Sequence, residues 1–202
     1  MRLSVSNIRD MLSDDQEEIV RGYIGMYSCK VRSEEGTEKS LNPDIERFLE
    51  EDAIQFSKMK TAITYLAVDE DDGALLGYFT LAHKPLKIPA DRLSRKVKDH
   101  LRRFSKLDED SNTYIISAFL LAQFGKNYAV EDGKRITGTE LMSVVMEQLK
   151  EVQNRVGGTI VYLDCEADAE LTSFYESQKF RLFGERISEN DGKRYLQYLN
   201  FI

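Results

Sequence analysis

The spacing of apolar and polar residues in the first half of the chain predicts a helix followed by a β-hairpin. Residues 44–60 carry apolar side chains at three- and four-residue steps after Asn42-Pro43, which is typical of an amphipathic helix with a cap and a first-turn proline. Residues 61–68 and 74–82 are rich in β-branched and aromatic residues and flank an acidic turn at 69–73. This pattern indicates two paired strands.

The second half of the chain alternates strands with helices. The pattern predicts helices over 91–106, 138–156 and 168–177, and strands over 113–124, 159–165, 181–187 and 194–201. Gly157-Gly158 is expected to end the long helix in a left-handed conformation. A hairpin followed by alternating elements predicts an α/β fold, with a mixed central β-sheet and helices on both faces.

Length and composition describe an ordinary globular chain. The 202 residues include no repeat or flexible linker, so we expect one domain over 1–202, with a helical N-terminal part at 1–60 and a hairpin plus core at 61–202. Cys29 and Cys165 lie far apart and indicate no disulfide framework, which favours a reducing, cytoplasmic location. No apolar run approaches the roughly 20 residues of a membrane helix, and we expect neither export nor membrane insertion.

Charge is segregated along the sequence. The net charge is −7, which argues against a protein that mainly wraps nucleic acid. Residues 34–52 nevertheless hold eight acids against two bases, whereas residues 91–106 hold seven bases against two acids. The basic helix at 91–106 is a candidate contact for a polyanion such as transfer RNA; its alternative is a solvated helix face.

Several catalytic chemistries lack the residues they need. His83 and His100 are the only histidines, and neither has a partner at metal-ligand spacing, so we expect no metal site. A nucleophile elbow of the form G-x-S-x-G is missing. The pair Gly133-Lys134 has Tyr128 where a P-loop needs its first glycine.

A strand, a loop and a helix over 113–156 remain as the unit that carries chemistry. The loop ends at the start of a helix, where free backbone N–H groups and the positive end of the helix dipole favour a phosphate. Gly138 would let such a ligand approach the backbone closely. The alternative is a capping box, with Thr137 as the cap and Glu140 three residues further on.

This unit resembles the GCN5-related N-acetyltransferase (GNAT) family. In that family a loop of the form Q/R-x-x-G-x-G/A follows a long strand, and its amides hold the pyrophosphate of coenzyme A. The segment Arg135-Ile136-Thr137-Gly138-Thr139-Glu140 matches at Arg135 and Gly138 and departs at Glu140. The resemblance therefore implies acetyl-coenzyme A (acetyl-CoA) as co-substrate.

A second motif extends the resemblance to about 61–202. The family pattern N-x-x-A-x-x-x-Y-x-x-x-G-F is similar to residues 168–180, with Tyr175 and Phe180 present and Asp168, Leu171 and Lys179 substituted. The helix after Asn42 and the strand that begins at Gly77 also look like the branch of transfer-RNA-acetylating toxins.

The resemblance implies roles for individual residues. Two parallel strands would splay apart, so that main-chain groups of Phe124, Gly125 and Lys126 hold pantetheine and the acetyl oxygen. Tyr175 would protonate the departing thiolate; its alternative role is packing on a helix face. The implied cofactor-binding set is completed by Arg135, Ile136, Thr137, Gly138, Thr139 and Asp168.

The expected function is transfer of an acetyl group from acetyl-CoA to a primary amine, by direct attack in a ternary complex. No residue of the 113–124 strand is an evident general base, so a water relay or an already neutral amine would serve. The acceptor is a small or macromolecular amine, and a homodimer is a candidate assembly. Two alternatives stay open: an enzyme that acetylates aminoacyl-transfer RNA, and a non-catalytic CoA-binding regulatory module.

Overall fold

The computed structural model describes residues 2–32, 38–188 and 192–202. The strands in these ranges are β1 (Leu3–Asn7), β2 (Lys30–Arg32), β3 (Glu38–Ser40), β4 (Ile63–Asp69), β5 (Leu75–Pro89), β6 (Leu107–Asp108), β7 (Thr113–Lys126), β8 (Ile160–Glu166), β9 (Arg181–Ile187) and β10 (Arg194–Phe201). The α-helices are α1 (Ile8–Ser13), α2 (Glu17–Gly25), α3 (Pro43–Arg47), α4 (Ala53–Met59), α5 (Arg95–Leu101), α6 (Gly138–Val156) and α7 (Ala169–Ser177).

The strands form a mixed sheet in the order β1-β4-β5-β7-β8-β10-β9, with β6 beside β7. Pairing of β4 with β5 is antiparallel and that of β7 with β8 is parallel. The chain divides into two compact units, one of residues 1–82 and 121–148 and the other of 83–120 and 149–202. Each unit has its own apolar cluster. The expected α/β fold with a mixed sheet is confirmed.

In the first unit, helices cover both faces of the sheet. Tyr78 of β5 packs in a buried cluster with Ile24 of α2 and Leu49. Its neighbour Gly77 faces α6, because a Cβ at Gly77 would lie 3.2 Å from the side chain of Leu141. Adjacent residues of a strand point to opposite faces, so α2 and α6 lie on opposite sides of β5.

In the second unit, α5 closes the apolar cluster. Val97 and Leu101 of α5 are buried with Tyr114 of β7, Ile160 of β8 and Phe183 of β9. The long helix α6 ends as the sequence predicted, since Gly157 and Gly158 have φ of 78° and 106°. The helix over 138–156 and the strands over 181–187 and 194–201 are confirmed at their predicted bounds.

The N-terminal 60 residues hold more than the predicted helical part. Strand β1 pairs antiparallel with β4 from Leu3 opposite Asp69 to Asn7 opposite Tyr65, which makes it an edge of the main sheet. A small hairpin of β2 and β3 precedes α3. The predicted helix over 44–60 is present, but a π-helical segment at Phe48–Asp52 separates α3 from α4.

Strand β5 continues well past its predicted end at residue 82. The strand runs through Pro85 to Pro89. The ladder with β4 covers Leu75 to Leu81, so both prolines lie beyond the part of β5 that pairs with β4. A proline lacks the N–H that such a ladder uses, and it is tolerated where one side of a strand has no partner to satisfy.

The basic helix is shorter than its prediction over 91–106. Residues Ala90–Arg92 form a 3₁₀ turn, and the Ser94 side chain then caps α5 by accepting a hydrogen bond from the Val97 N–H at 3.4 Å. The Ser94 cap fixes the true start, and the regular helix ends at Leu101.

Candidate functional site

The C-terminal end of β7 lies against the N-terminal segments of the first unit. A Cβ at Gly125 would be 2.2 Å from the Tyr27 hydroxyl and 2.8 Å from Cγ2 of Ile45. Tyr27 is 5% exposed, its ring meets the Tyr78 ring edge-on at 5.0 Å, and its hydroxyl is 3.1 Å from Sγ of Cys29. A side chain at Gly125 would therefore displace Tyr27, and only glycine fits this part of the strand.

Asn127 anchors the chain where it leaves β7. Its side-chain N–H₂ donates to the carbonyls of Met26 and Leu75, both at 2.8 Å, and its side-chain oxygen accepts from the N–H groups of Ser28 and Ala129 at 2.9 and 3.0 Å. The residue is 2% exposed, so these bonds replace water entirely. Asn127 fixes the direction in which the loop after β7 begins.

Arg135 organises that loop. Its Nε donates to the Val130 carbonyl at 2.9 Å and its Nη2 to the Tyr128 carbonyl at 2.7 Å, while Nη1 pairs with Asp132. The guanidinium also lies over the Tyr128 ring, 5.4 Å from its centroid, and Lys126 approaches the same ring at 5.3 Å. Arg135 and Lys126 are thus brought together around Tyr128, and the Arg135 side chain holds the loop closed.

The start of α6 carries the capping box that the sequence allowed. The Glu140 carboxylate accepts hydrogen bonds from the Thr137 N–H at 2.8 Å and the Thr137 hydroxyl at 2.7 Å. The Glu140 N–H donates in return to the Thr137 hydroxyl at 3.1 Å. These bonds hold the pKa of Glu140 below its usual range, so its charge is committed to the cap.

The residues beside this cap are held in two ways. Ile136 is 1% exposed and anchors the loop in the interior. Lys134 forms an ion pair with Asp72 at 2.6 Å, which raises the pKa of the lysine. The first unit therefore contains both segments in which the sequence motif predicted a CoA site. They are the strand end, with Phe124, Gly125 and Lys126, and the loop and helix start at 135–139.

The second unit contains Tyr175 of α7. It is 8% exposed, and its ring contacts those of Phe174, Phe180 and Tyr198, with centroids 5.2, 5.8 and 6.4 Å away. Burial, with a smaller contribution from Cys165, raises the pKa of Tyr175, so its phenol keeps the proton at neutral pH. A buried, protonated phenol is compatible with an acid and with a packing residue.

Asp168 begins α7. Its Oδ1 accepts hydrogen bonds from the N–H groups of Glu170 and Leu171 at 2.9 and 3.0 Å, which is the geometry of an N-cap. In the same unit, the parallel ladder of β7 with β8 places Phe119 opposite Val161 and Leu120 opposite Tyr162.

The two histidine rings lie against aromatic rings at a tilt. His83 lies 5.2 Å from Phe119 and His100 lies 4.1 Å from Phe201, centroid to centroid. The described residues include no group of three or more His, Cys, Asp or Glu side chains that could hold a metal ion. Among the described helices, none has the length and hydropathy of a transmembrane span.

Tyr27 and Asn127 were not found from the sequence. Tyr27 lies nearly a hundred residues from Gly125 in the chain, and a lone tyrosine near the end of an unpredicted helix gives no local signal. Asn127 follows a strand and reads as an ordinary turn residue. The weak signal for its role was its position, directly after a long strand and at the beginning of a loop.

Comparisons with known proteins give a likeness in structure. No protein-family model matches the sequence, and no curated protein matches it significantly. The solved structure of AtaT complexed with acetyl-methionyl-tRNAfMet is 14% identical, with a TM-score of 0.62 over 96% of this chain and 94% of that chain. A mutant of KacT is 18% identical, with a TM-score of 0.63 over 98% and 95%.

A third similar structure contains the co-substrate that the motif implied. It is an AtaT mutant toxin bound to the C-terminus of the antitoxin AtaR and acetyl-CoA, 14% identical, with a TM-score of 0.56 over 98% of this chain and 92% of that chain. The chain therefore has the α/β fold of the GCN5-related N-acetyltransferases. Of the structures named here, the AtaT mutant bound to AtaR is described as a toxin.

Proposed function

We propose that this protein is an acetyl-CoA-dependent N-acetyltransferase that acts on a primary amine. The observation that carries the proposal is the structured start of α6. The loop that Arg135 holds closed leads directly to Gly138, the first residue of a 19-residue helix. A helix start after a glycine-containing loop presents backbone N–H groups and a positive dipole to a phosphate.

The residues of the first unit supply binding and orientation. The N–H of Gly138 and the positive end of the α6 dipole hold the pyrophosphate, and Arg135 keeps the loop in shape through the Tyr128 and Val130 carbonyls. Main-chain groups of 124–126 orient pantetheine and the acetyl oxygen. Close packing of Gly125 against Tyr27 and Ile45 fixes the course of this strand end.

The proton for the departing thiolate is assigned to Tyr175. Tyr175 donates its phenolic proton to the leaving thiolate, while the amine nitrogen forms the new bond to the acetyl carbon. Tyr175 is protonated at neutral pH, as an ordinary phenol is. The amine binds in the neutral form, and after its nitrogen has bonded to the acetyl carbon and the C–S bond has broken it gives up one proton to water. Water returns a proton to Tyr175. Asp168 supports the helix of Tyr175 by capping it.

Isothermal titration with acetyl-CoA and with free CoA tests the proposal. The wild type should bind both at micromolar concentrations, and Gly138→Trp should lose binding because the indole occupies the space of the phosphates. Gly133→Trp is the matched control: it lies in the same loop, and a Cβ there meets nothing within 4 Å. Equal binding by wild type and Gly138→Trp would contradict the proposal.

Turnover separates an enzyme from a regulatory module. If acetyl-CoA binds but no amine in a broad screen is acetylated, the non-catalytic CoA-binding module becomes the better description. Release of free thiol from acetyl-CoA, measured with and without each amine, distinguishes transfer from simple hydrolysis.

A second candidate function is acetylation of aminoacyl-transfer RNA. It is favoured by the basic helix, where the side chain of Arg95 is 97% exposed, and by the likeness to AtaT, which was solved with acetyl-methionyl-tRNAfMet. The second unit holds 16 Lys and Arg against 14 Asp and Glu, whereas the first holds 12 against 21. The basic surface is thus confined to the unit that carries α5.

Charge reversal on this helix distinguishes the two functions. Arg95→Glu combined with Arg103→Glu should abolish acetylation of charged transfer RNA and leave acetylation of a small amine unchanged. Loss of both activities would mean that the variant disturbs the enzyme itself, and loss of neither would remove RNA as the substrate. A homodimer and a cytoplasmic location stay predictions.

A further inference from the structure

A cleft in the second unit is lined by none of the residues assigned above to catalysis or CoA binding. It has a volume of about 310 Å³ and is lined by the start of α5 and by β9. Its apolar lining includes Leu93, Val97 and Leu182, and the last of these is 54% exposed. This volume is at the lower end of the range for ligand sites, about 300–1,000 Å³, and has room for one or two apolar side chains.

Two arginines line the same cleft. Arg92 precedes α5 and Arg181 begins β9, and both are exposed. A Cβ at Gly184 would lie 3.8 Å from Nη1 of Arg92, so this guanidinium reaches across to β9. Within the described residues, neither arginine forms a salt bridge, whereas the neighbouring Arg186 and Arg194 are paired with Asp164 and Glu185. The cleft therefore presents two uncompensated positive charges beside an apolar surface.

Strand β9 is an edge of the sheet. It is the last strand in the order and, in the described part of the chain, pairs with β10 alone. Leu182 and Ile187 on this strand are 54% and 72% exposed. An edge strand has backbone N–H and C=O groups ready to pair with another extended segment, and exposed apolar residues on it favour such pairing.

The apolar lining favours a peptide over a nucleic acid. A base would need an aromatic face to stack on, and Phe183, which is the aromatic residue of the lining, is only 3% exposed. Aliphatic side chains instead suit the leucine or valine of a peptide, and the two arginines suit its carboxylates.

We propose that this cleft and the free edge of β9 bind an extended segment of a partner protein that carries both apolar and acidic residues on the face it turns toward the cleft. The segment adds as a strand beside β9. Its apolar side chains enter the cleft at Leu182 and Val97, and its carboxylates pair with Arg92 and Arg181. The proposal is independent of the acetyltransferase function, because none of these residues is assigned to it.

The test uses fluorescence anisotropy with the full chain. The probe is a fluorescein-labelled peptide of eight residues with glutamate and leucine or valine at its odd positions, which share one face of a strand, and serine at its even positions. We expect saturable binding that weakens at least about ten-fold in Arg92→Glu and in Arg181→Glu, since each reverses a charge that faces the carboxylates. Arg95→Glu is the matched control: it begins α5, three residues after Arg92, lies outside the cleft lining and should leave affinity within about two-fold.

Two control peptides check the mode of binding. Lysine in place of glutamate should abolish binding, and N-methylation of alternate backbone amides should weaken it at least about ten-fold because it blocks pairing with a strand edge. Thermal unfolding of each variant shows whether it is folded.

Four results would overturn the proposal. One is that the wild type does not bind the peptide at about 100 µM protein, a concentration well above a micromolar Kd. Equal weakening by Arg95→Glu would indicate general charge attraction. Binding of oligouridylate RNA, lost in Arg92→Glu while the peptide fails to bind, would assign the cleft to RNA. A concentration-dependent dimer that dissociates in Arg181→Glu would assign the edge to a second copy. Binding of acetyl-CoA to each variant is measured separately, so that failure of this proposal can be told from failure of the acetyltransferase function.

Discussion

Glu140 is the residue at which the loop departs from the motif it resembles. A carboxylate beside a phosphate site would repel the ligand, but here both Thr137 donors hold the Glu140 carboxylate in the cap. The departure from glycine or alanine is therefore compatible with a helix start that binds an anion. Some repulsion should remain, because the charge is still close to the first turn of α6.

Replacement of Glu140 by glutamine tests this directly. Gln keeps an oxygen for the cap and removes the charge, so we expect tighter binding of acetyl-CoA. Two unit charges about 7 Å apart in water interact by roughly 0.6 kcal/mol, which corresponds to a Kd about three-fold lower. Titration at low ionic strength measures the effect, and the difference should shrink in about 1 M salt, where the screening length is near 3 Å. Unchanged affinity at both salt concentrations would place the pyrophosphate away from α6.

Replacement of Tyr175 by phenylalanine distinguishes a catalytic acid from a packing residue. Phenylalanine keeps the ring contacts with Phe174, Phe180 and Tyr198 and removes only the hydroxyl. If Tyr175 is the acid, kcat should fall about 10²–10³-fold, with little change in acetyl-CoA affinity or in Tm. Tyr198→Phe is the control within the same cluster, and its hydroxyl donates instead to Glu176 at 3.2 Å. A lowered Tm with unchanged kcat would assign Tyr175 to packing.

At the scale of single residues, contacts between neighbours in the chain could be predicted and contacts set by the path of a loop could not. The capping box could be predicted because both partners lie within four residues of each other. The contacts of Arg135 could not, because its side chain folds back onto the Tyr128 and Val130 carbonyls, and the path of the loop decides which acceptors lie within reach.

At the scale of elements, the fit of β7 against the N-terminal segments depends on Gly125. Alanine there would bring its Cβ within 2.2 Å of the Tyr27 hydroxyl, and we expect Gly125→Ala to lower the free energy of unfolding by about 2–3 kcal/mol through overpacking. Urea denaturation measures this. Gly133→Ala, with open space around its Cβ, should change stability by less than about 0.5 kcal/mol.

A double variant identifies the clash. Tyr27→Phe removes the hydroxyl, so Gly125→Ala should cost about 1 kcal/mol less in that background than in the wild type. Some cost remains, because Cγ2 of Ile45 would still lie 2.8 Å from the new Cβ. Additive effects would mean that β7 and the segment of Tyr27 do not touch in solution.

Elements with a strong periodic pattern could be predicted from the sequence. Elements whose bounds depend on pairing with another strand could not. Helix α6 and strands β9 and β10 have their predicted bounds. Strand β5 was cut short at its prolines because their cost depends on which neighbour pairs with that stretch. Strand β1 is five residues long and half-buried throughout, and its identity as a strand comes from its pairing with β4.

At the scale of the whole molecule, buried tyrosines set the response to alkaline pH. Burial raises the pKa of Tyr27 and of Tyr78 far above the ordinary value near 10. In the unfolded chain these phenols lose their protons as pH rises past about 10, while the folded protein retains them. The unfolded state then binds fewer protons, so stability is full below pH 10 and falls above it.

Thermal unfolding between pH 8 and 11 checks this expectation. Tm should be nearly constant up to about pH 9.5 and then fall steadily. Tyr27→Phe removes one such group, so its Tm should fall less steeply with pH. A slope equal to that of the wild type would mean that Tyr27 ionises in the folded protein.

The sequence by itself determined the alternation of elements, the α/β class and the loop and helix that carry the CoA motif, because periodicity, caps and glycines act over a few residues. Tertiary structure decided what those residues meet. It joined positions far apart in the chain: Tyr27 with Gly125, Asn127 with Met26 and Leu75, and Arg92 with Arg181 at one cleft. Such contacts follow from how strands are ordered and helices are laid over them, which no local pattern encodes.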